Sequence, residues 1–269
     1  MKREHRAFLE TVRVQDCTAN VARFPVGLPC IDEVLRGGLV RGGVHEIFPA
    51  RHADRGAAFG VALTLARKAA GPKPILVARQ DVFDMESGEV NGAGLHEIGL
   101  DPGRVILVRA RHGKDALRAG EQGARCHGLG AVVVALSGPS GISDLTASRR
   151  LAVAAVESGV PVLILCAGLS PAPSAAATRW TIAARPSIAL EANAPGHPCF
   201  HLSLVRQRGG EDNRTWSVAW NREQRTFESR PETENAAHPR AVVSLSRDGP
   251  SRPAGTIAKL RQGRLRRAG

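Results

Sequence analysis

The stretch AVVVALSGPSGISDLTASRRLAVAAVESGVPVLILC (residues 131–166) decides the fold class of this chain. Its pattern predicts an apolar strand over 131–136, a helix over 145–159 and a second fully apolar strand over 160–166. Strands that are apolar at every position are buried on both faces, and a helix between two of them is typical of a βαβ unit. The stretch therefore predicts an α/β fold with a parallel sheet.

The alternation of strands and helices continues on both sides of this unit. Upstream, the pattern predicts strands at 44–48, 75–78 and 104–108 and helices at 3–14, 30–35, 58–70, 93–99 and 114–126. Downstream, the pattern changes to segments in which apolar and polar residues alternate and which are joined by turn residues. These segments are TIAAR (181–185), SIALEA (187–192), CFHLSLVRQ (199–207) and TWSVAWN (215–221). We expect these segments to add antiparallel strands to one edge of the sheet. Trp216 and Trp220 share a face of the last segment and are expected to close the core.

The amino-acid composition indicates which kinds of partner and which cellular location to expect. The 269 residues include 37 basic and 25 acidic ones, so the net charge is +12 and a polyanionic or acidic partner is favoured. Aromatic residues make up only 4%, without any Tyr, which argues against a surface that stacks on bases. The five scattered cysteines contain no CxxC pair, and no apolar run is long enough to cross a membrane. We therefore expect a cytoplasmic protein with reduced thiols and no membrane partner.

The chain divides into three segments by composition. Residues 1–25 are expected to form an N-terminal helix and a linker, and residues 26–230 a single folded domain. Residues 231–269 are dominated by Pro, Ser, Gly, Glu and Arg with little apolar surface, which predicts a disordered basic tail.

The loop PARHADRGAAFG (49–60) lies where an α/β nucleotide-binding protein would hold phosphate. A working P-loop has the pattern GxxxxGK[ST], because the Lys neutralises the phosphates and the hydroxyl holds Mg²⁺. This chain has Ala57 and Ala58 where the Lys and the hydroxyl residue are required. Three cations of the loop could still meet an anion, although solvated loop charges are the simpler interpretation: Arg51, His52 and Arg55.

Two other patterns indicate chemistry only weakly. His197, Cys199 and His201 are possible metal ligands on one strand face, but no fourth ligand stands at a recognisable spacing, so we expect no metal site. Ser140 follows a strand as a nucleophile elbow would, but Ile142 replaces the closing Gly of the GxSxG pattern. A hydrolase is therefore not expected.

Three segments carry a family resemblance. VGLPCIDEVLRGGLVRGGVHEIF (26–48) resembles the beginning of the RecA core, GLDPGRVILVRARHGKDALRAGEQGARCHGLGAVVVALSG (99–138) resembles the stretch that ends in its Walker B strand, and HLSLVRQRGG (201–210) resembles a late strand of its sheet. Their order and spacing are closest to the ImuA family, the RecA-like proteins of bacterial SOS mutagenesis operons. The resemblance covers about residues 26–222 and implies a RecA-like core: a largely parallel sheet flanked by helices, with antiparallel strands at its C-terminal edge.

The resemblance also implies where the catalytic groups of RecA would stand, and this chain lacks them. The Walker A Lys and Thr correspond to Ala57 and Ala58, the catalytic Glu to Gln80, the Walker B Asp to Ala135, and the Gln that senses the γ-phosphate falls near Gly168. Phosphate neutralisation, metal positioning and water activation are lost together. We therefore expect a degenerate site without ATPase activity, catalytic residues, cofactor or metal.

Basic positions remain where the resemblance implies contacts. Arg206 and Arg208 stand where a RecA strand carries two Lys across a filament interface, so they are expected to contact a RecA-like neighbour or DNA; the alternative is a pair of merely exposed arginines. Four tail residues could bind a phosphate backbone or an acidic groove, or could simply be solvated: Arg261, Arg264, Arg266 and Arg267. The segments that match the mobile DNA-binding loops of RecA, 137–144 and 168–180, are short, so independent strand exchange is not expected.

The resulting hypothesis is a non-catalytic RecA-like accessory subunit of SOS-induced error-prone translesion synthesis. The resemblance implies its partners: an ImuB-like Y-family protein, RecA on single-stranded DNA and an error-prone DnaE-type polymerase. One alternative is a DNA-dependent recombination ATPase, which nucleotide binding would reveal. The other is a SulA-like cell-division inhibitor, which would bind the tubulin-like division protein.

Overall fold

The computed structural model describes residues 21–138, 145–168 and 171–230. The helix predicted at 3–14, Ser140 and the predicted tail from 231 onward lie outside these residues. The strands are β1 (Arg23–Phe24), β2 (Leu39–Val40), β3 (Val44–Pro49), β4 (Ile75–Gln80), β5 (Val105–Ala110), β6 (Ala131–Ser137), β7 (Val162–Ala167), β8 (Thr178–Arg185), β9 (Cys199–Gln207), β10 (Arg214–Asn221) and β11 (Thr226–Ser229). The α-helices are α1 (Pro29–Val34), α2 (Arg55–Ala70), α3 (Asp81–Ser87), α4 (Gly92–Glu97), α5 (Gly113–Ala124) and α6 (Leu145–Ser158).

One mixed sheet organises these elements. Its strand order is β11-β10-β9-β8-β3-β7-β6-β4-β5, and every neighbouring pair from β8 to β5 is parallel. Strands β8 to β11 are joined to one another in antiparallel fashion. The predicted fold class is therefore confirmed, with the antiparallel strands at the C-terminal edge of a largely parallel sheet.

Helices cover both faces of the parallel strands. Helix α2 lies in one core cluster with Val133 of β6, whereas α5 and α6 lie in a second cluster with Val132 and Val134 of the same strand. Because successive side chains of a strand point to opposite faces, an uninterrupted apolar run places apolar side chains in both clusters. This explains why the 131–166 stretch forms β6, α6 and β7. Among the described residues, no helix combines the length and apolarity that crossing a bilayer requires.

The sequence placed three segments differently from the structure. The strand predicted at 187–192 is wrong, since these residues form a loop with a short 3-10 turn at Glu191–Asn193. Strand β5 is as apolar in sequence as the central strands, but it is the edge of the sheet and leaves Ile106 and Leu107 exposed by 48% and 43%. Phe24, assigned by sequence to the linker, pairs through β1 with β2 and is fully buried.

The two tryptophans of β10 take part in the core, as predicted. Trp216 packs on Trp180 with ring centroids 6.0 Å apart. Trp220 is 3% exposed and packs edge-on against Phe227 at 5.1 Å. Phe227 belongs to β11, a strand that the sequence pattern did not predict because it is only four residues long.

A buried histidine joins β3 to β8. His45 Nδ1 lies 2.8 Å from the Thr178 hydroxyl, and His45 Nε2 lies 2.9 Å from the Val40 carbonyl. Trp180 Nε1 donates to the same hydroxyl oxygen at 2.8 Å, so the Thr178 proton is free to be donated to Nδ1. This arrangement suits the neutral imidazole with its proton on Nε2. Burial lowers the pKa of His45 to about 4.

We expect His45 to make the fold sensitive to mild acid. The unfolded side chain takes up a proton near pH 6.5, whereas the folded one does so only near pH 4, so stability falls as the pH is lowered between these values. The loss should reach up to about 3 kcal/mol at pH 4. Urea unfolding at several pH values measures it.

The matched comparison is His45→Gln against His96→Gln, which alters an exposed histidine. His45→Gln should flatten the pH dependence whatever its own stability, and His96→Gln should leave it unchanged. A wild-type slope in His45→Gln would show that another group is responsible.

Candidate functional site

The carboxyl ends of β3, β4, β6 and β7 meet at one edge of the sheet, here called the carboxyl edge. Ligands of open α/β sheets bind at such an edge. Gln80 ends β4, and its Oε1 accepts a hydrogen bond from the backbone N–H of Ser137 at 3.1 Å. The residue that replaces the catalytic Glu is thus used to join the ends of β4 and β6.

The other degenerate positions lie at different depths. Ala57 is half-buried in the first turn of α2, and Gly168 is exposed just after β7. Ala58 and Ala135 are completely buried in the core. The structure therefore brings Ala57, Gln80 and Gly168 to the carboxyl edge, while Ala58 and Ala135 serve packing.

An internal ion pair lies at this edge. Arg55, at the beginning of α2, has a side chain only 7% exposed and pairs with the carboxylate of Glu86. Ser137 Oγ donates to the same carboxylate oxygen at 2.5 Å. The Ser137 hydroxyl and the Arg55 guanidinium lower the pKa of Glu86, so this carboxylate is ionised. The interpretation of Arg55 as a solvated loop charge is wrong, because its guanidinium is buried and already bound to an anion of the protein itself.

A second carboxylate precedes α2. Asp54 is buried and accepts hydrogen bonds from Arg51 Nε and from the backbone N–H of Ala184, each at 3.0 Å. Burial raises the pKa of Asp54, but these hydrogen bonds outweigh it and lower the pKa overall. An incoming phosphate at this helix end would therefore meet two carboxylates and find no lysine. His52 is exposed.

A buried arginine positions the helix that carries Glu86. Arg79, 1% exposed on β4, pairs with Asp84 at 2.8 Å and donates to the Gly88 carbonyl at 2.8 Å. Its guanidinium lies 4.7 Å and 5.0 Å from the ring centroids of Phe59 and Phe83. Asp84 lies in the middle of α3 and Gly88 directly follows its last residue, so Arg79 anchors this helix and with it the position of Glu86. Sequence reasoning missed Arg79, although a charged residue within the apolar run ILVARQ was the available signal.

Another buried ion pair fixes the segment after β7. Glu46 is fully buried on β3, and its Oε2 accepts from Arg179 Nε at 2.8 Å. Arg179 also donates to the Ala172 carbonyl at 2.6 Å and to Ser174 Oγ at 3.1 Å. Part of the segment that matches a mobile RecA loop is therefore bound to the sheet by this arginine.

The predicted contact arginines have different environments. Arg206 is half-buried, and its guanidinium donates to the carbonyls of Ser174 and Ala176 at 3.3 Å and 3.0 Å. Arg208 lies beyond the end of β9, is exposed, and makes no side-chain hydrogen bond or ion pair with the described residues. A bulge opposite Arg179 interrupts the pairing of β8 and β9 next to Arg206, so simple alternation does not describe this strand end. The four tail arginines lie outside the described residues.

The predicted metal-ligand pattern has other contacts. Cys199 Sγ accepts from Arg230 Nη1 at 2.7 Å, and His201 Nδ1 lies 3.4 Å from Ser217 Oγ. Within the described ranges, no three His, Cys, Asp or Glu side chains gather as a metal site would require.

Comparison with known proteins complements this geometry. No protein-family model matches the chain. Protein ImuA from each of two strains of Caulobacter vibrioides is 32% identical to it over 207 residues, covering 68% of this chain and 78% of that protein. The crystal structure of the RadB recombinase shares its fold at a TM-score of 0.53 and 15% identity, covering 77% of this chain and 99% of the RadB chain. The RadB likeness confirms the RecA-like core, and the identity with ImuA shows that this chain belongs to the ImuA family of RecA-like proteins associated with SOS mutagenesis.

Proposed function

We propose that this protein is a non-catalytic accessory subunit of an SOS-induced error-prone translesion synthesis complex. Its partners would be an ImuB-like Y-family protein, RecA and an error-prone DnaE-type polymerase. The observation that carries the non-catalytic part of the proposal is the Arg55–Glu86–Ser137 network at the carboxyl edge.

Hydrolysis of ATP needs groups that this edge does not offer. A cation must neutralise the phosphates, a carboxylate must hold the metal, and a base must orient water. Ala57 cannot supply the cation, and Arg55 is already neutralised by Glu86. The carboxylate of Asp84 pairs with Arg79, and that of Asp54 with Arg51. Arg55, Asp84 and Asp54 are thus each engaged in an internal pair, which supports a structural use of this edge.

The same pairs support a role as a rigid binding subunit. A nucleotide-driven switch needs an element whose position depends on a bound phosphate. Here Arg79 holds α3, and Arg179 and Arg206 hold the 171–177 segment, so side chains of the protein itself fix both elements. Contacts made by this chain are therefore expected to be independent of its own nucleotide state.

The first experiment measures nucleotide binding and turnover. Calorimetry with ATP and Mg²⁺ should show no binding to the purified full chain, and phosphate release should not exceed the buffer background with or without single-stranded DNA. RecA serves as the positive control. Turnover that disappears in Arg55→Ala would contradict the proposal and favour the recombination ATPase.

The second experiment tests the predicted contact arginines one at a time. Arg208→Ala should weaken capture of RecA or of the ImuB-like protein by up to about fivefold, the range of one exposed ion pair, and should leave stability within about 0.5 kcal/mol. Arg206→Ala loses two hydrogen bonds to backbone and should cost about 1–3 kcal/mol of stability, so its binding is interpreted only beside its unfolding curve. Affinity is measured with purified partners at two salt concentrations.

Arg36→Ala is the control, since Arg36 is exposed on a different part of the domain. Equal capture of both partners by wild type and Arg208→Ala would remove Arg208 from the interface. Capture of the tubulin-like division protein in place of both partners would favour the cell-division inhibitor.

A further inference from the structure

Helices α5 and α6, with the loop before α5, carry exposed cations that have no partner among the residues the structure describes. Five side chains there are exposed and make no ion pair or hydrogen bond with any residue that the structure describes: Arg111, Lys114, Arg118, Arg149 and Arg150. We call these residues the basic face. Many other arginines donate to backbone carbonyls, namely Arg23, Arg41, Arg67, Arg104, Arg206 and Arg230. The basic face therefore brings together five cations that no described residue neutralises.

Two contacts fix how the helices lie beside each other. A Cβ added at Gly120 of α5 would lie 3.8 Å from the Leu151 side chain of α6. Five residues after Gly120, Arg125 Nη1 pairs with Glu157 Oε2 of α6 at 3.2 Å. Both helices follow a parallel strand and return from the carboxyl edge, so they run in the same direction.

This alignment brings the cations of the two helices together. Arg118 precedes Arg125 by seven residues, and Arg150 precedes Glu157 by seven residues. Seven residues are nearly two full turns, so each arginine lies on the same side of its helix as the paired residue. Arg118 and Arg150 are therefore neighbours across the helix pair, about 10 Å closer to the carboxyl edge than the Arg125–Glu157 pair.

The two ends of the helix pair differ in net charge. At the far end, Arg125 bonds both Glu121 and Glu157, so opposite charges cancel. At the end near the carboxyl edge, Arg118 faces Arg150, and Asp115 is the only acid without an ion pair among the described residues of either helix. Like charges at this end leave a net positive surface.

Helix stability alone does not account for this placement. The beginning of a helix carries partial positive charge and favours acidic side chains. Here Lys114 lies in the first turn of α5, where a cation is unfavourable, and Arg149 and Arg150 lie in the second turn of α6. An anion on the basic face would be attracted by the five cations and by both helix ends together.

We propose that the basic face binds the phosphodiester backbone of single-stranded DNA. Arginine forks match phosphate oxygens, and four of the five cations are arginines. No aromatic residue belongs to α5 or α6, so binding is through phosphates and without base preference. A flexible strand can follow this convex pair of helices, whereas a stiff duplex would touch it at few phosphates.

The test measures the salt dependence of binding, using the full chain and a fluorescein-labelled 30-nucleotide oligo(dT). Each lost phosphate contact reduces the slope of log K against log salt by about 0.7 on single strands. Arg118→Ala combined with Arg150→Ala should reduce the slope by about 1.4 and weaken binding about tenfold or more at 50 mM salt. A 30-base-pair duplex should bind more weakly than the single strand.

The matched control is Arg36→Ala combined with Arg185→Ala, which removes the same charge from exposed positions elsewhere. It should keep the wild-type slope, and both variants should keep the wild-type melting curve. Three results would overturn the proposal. Equal losses of affinity in the two variants would show a response to net charge only, and an unchanged slope in the Arg118→Ala, Arg150→Ala variant would place binding elsewhere. The third is absence of binding by the wild-type chain at low salt. Because no partner protein is present, failure here leaves the proposed accessory role standing.

Discussion

The constraint on which the structure depends is the burial of β3, β4, β6 and β7 on both faces. A polar side chain on such a strand has no access to water, and an unpaired buried charge is costly, so each must find its partner inside the protein. Arg79 forms an ion pair with Asp84, and Glu46 forms one with Arg179. His45 stays neutral between Thr178 and Val40. The Arg79–Asp84 pair joins β4 to the helix that follows it at the carboxyl edge, whereas Glu46 and His45 join β3 to β8.

The chemistry of that edge follows from the same constraint. In a nucleotide-binding protein, charges at this edge are left open for phosphate and metal. Here the Arg79–Asp84 pair holds α3 against β4. Glu86, which belongs to α3, then pairs with Arg55 at the beginning of α2, where a nucleotide-binding protein would bind phosphate. The RecA-like fold is maintained by apolar burial and internal ion pairs.

Much of this was accessible from the sequence, and the remainder has specific reasons. The residues on which the prediction of a degenerate site rests, Ala57, Gln80 and Ala135, could be identified from their order along the chain alone. The partners of Arg55 and Arg206 could not, because Glu86 is 31 residues from Arg55, and Ser174 is 32 residues from Arg206. The strand predicted at 187–192 failed because alternating apolar residues favour a strand only where a neighbouring strand is available to pair with.

The sequence by itself determined the fold class, since uninterrupted apolar runs that alternate with helices are typical of a parallel sheet covered on both faces. By comparison with the pattern of the RecA core, it also predicted that the catalytic residue types are absent. Only the tertiary structure decided which strand is an edge, because β5 is as apolar as β6 but has β4 on one side and no strand on the other. Tertiary structure alone also decided which arginines form internal ion pairs and which remain unpaired on α5 and α6. Ion pairing depends on distances in space, and these cannot be read from the order of residues along the chain.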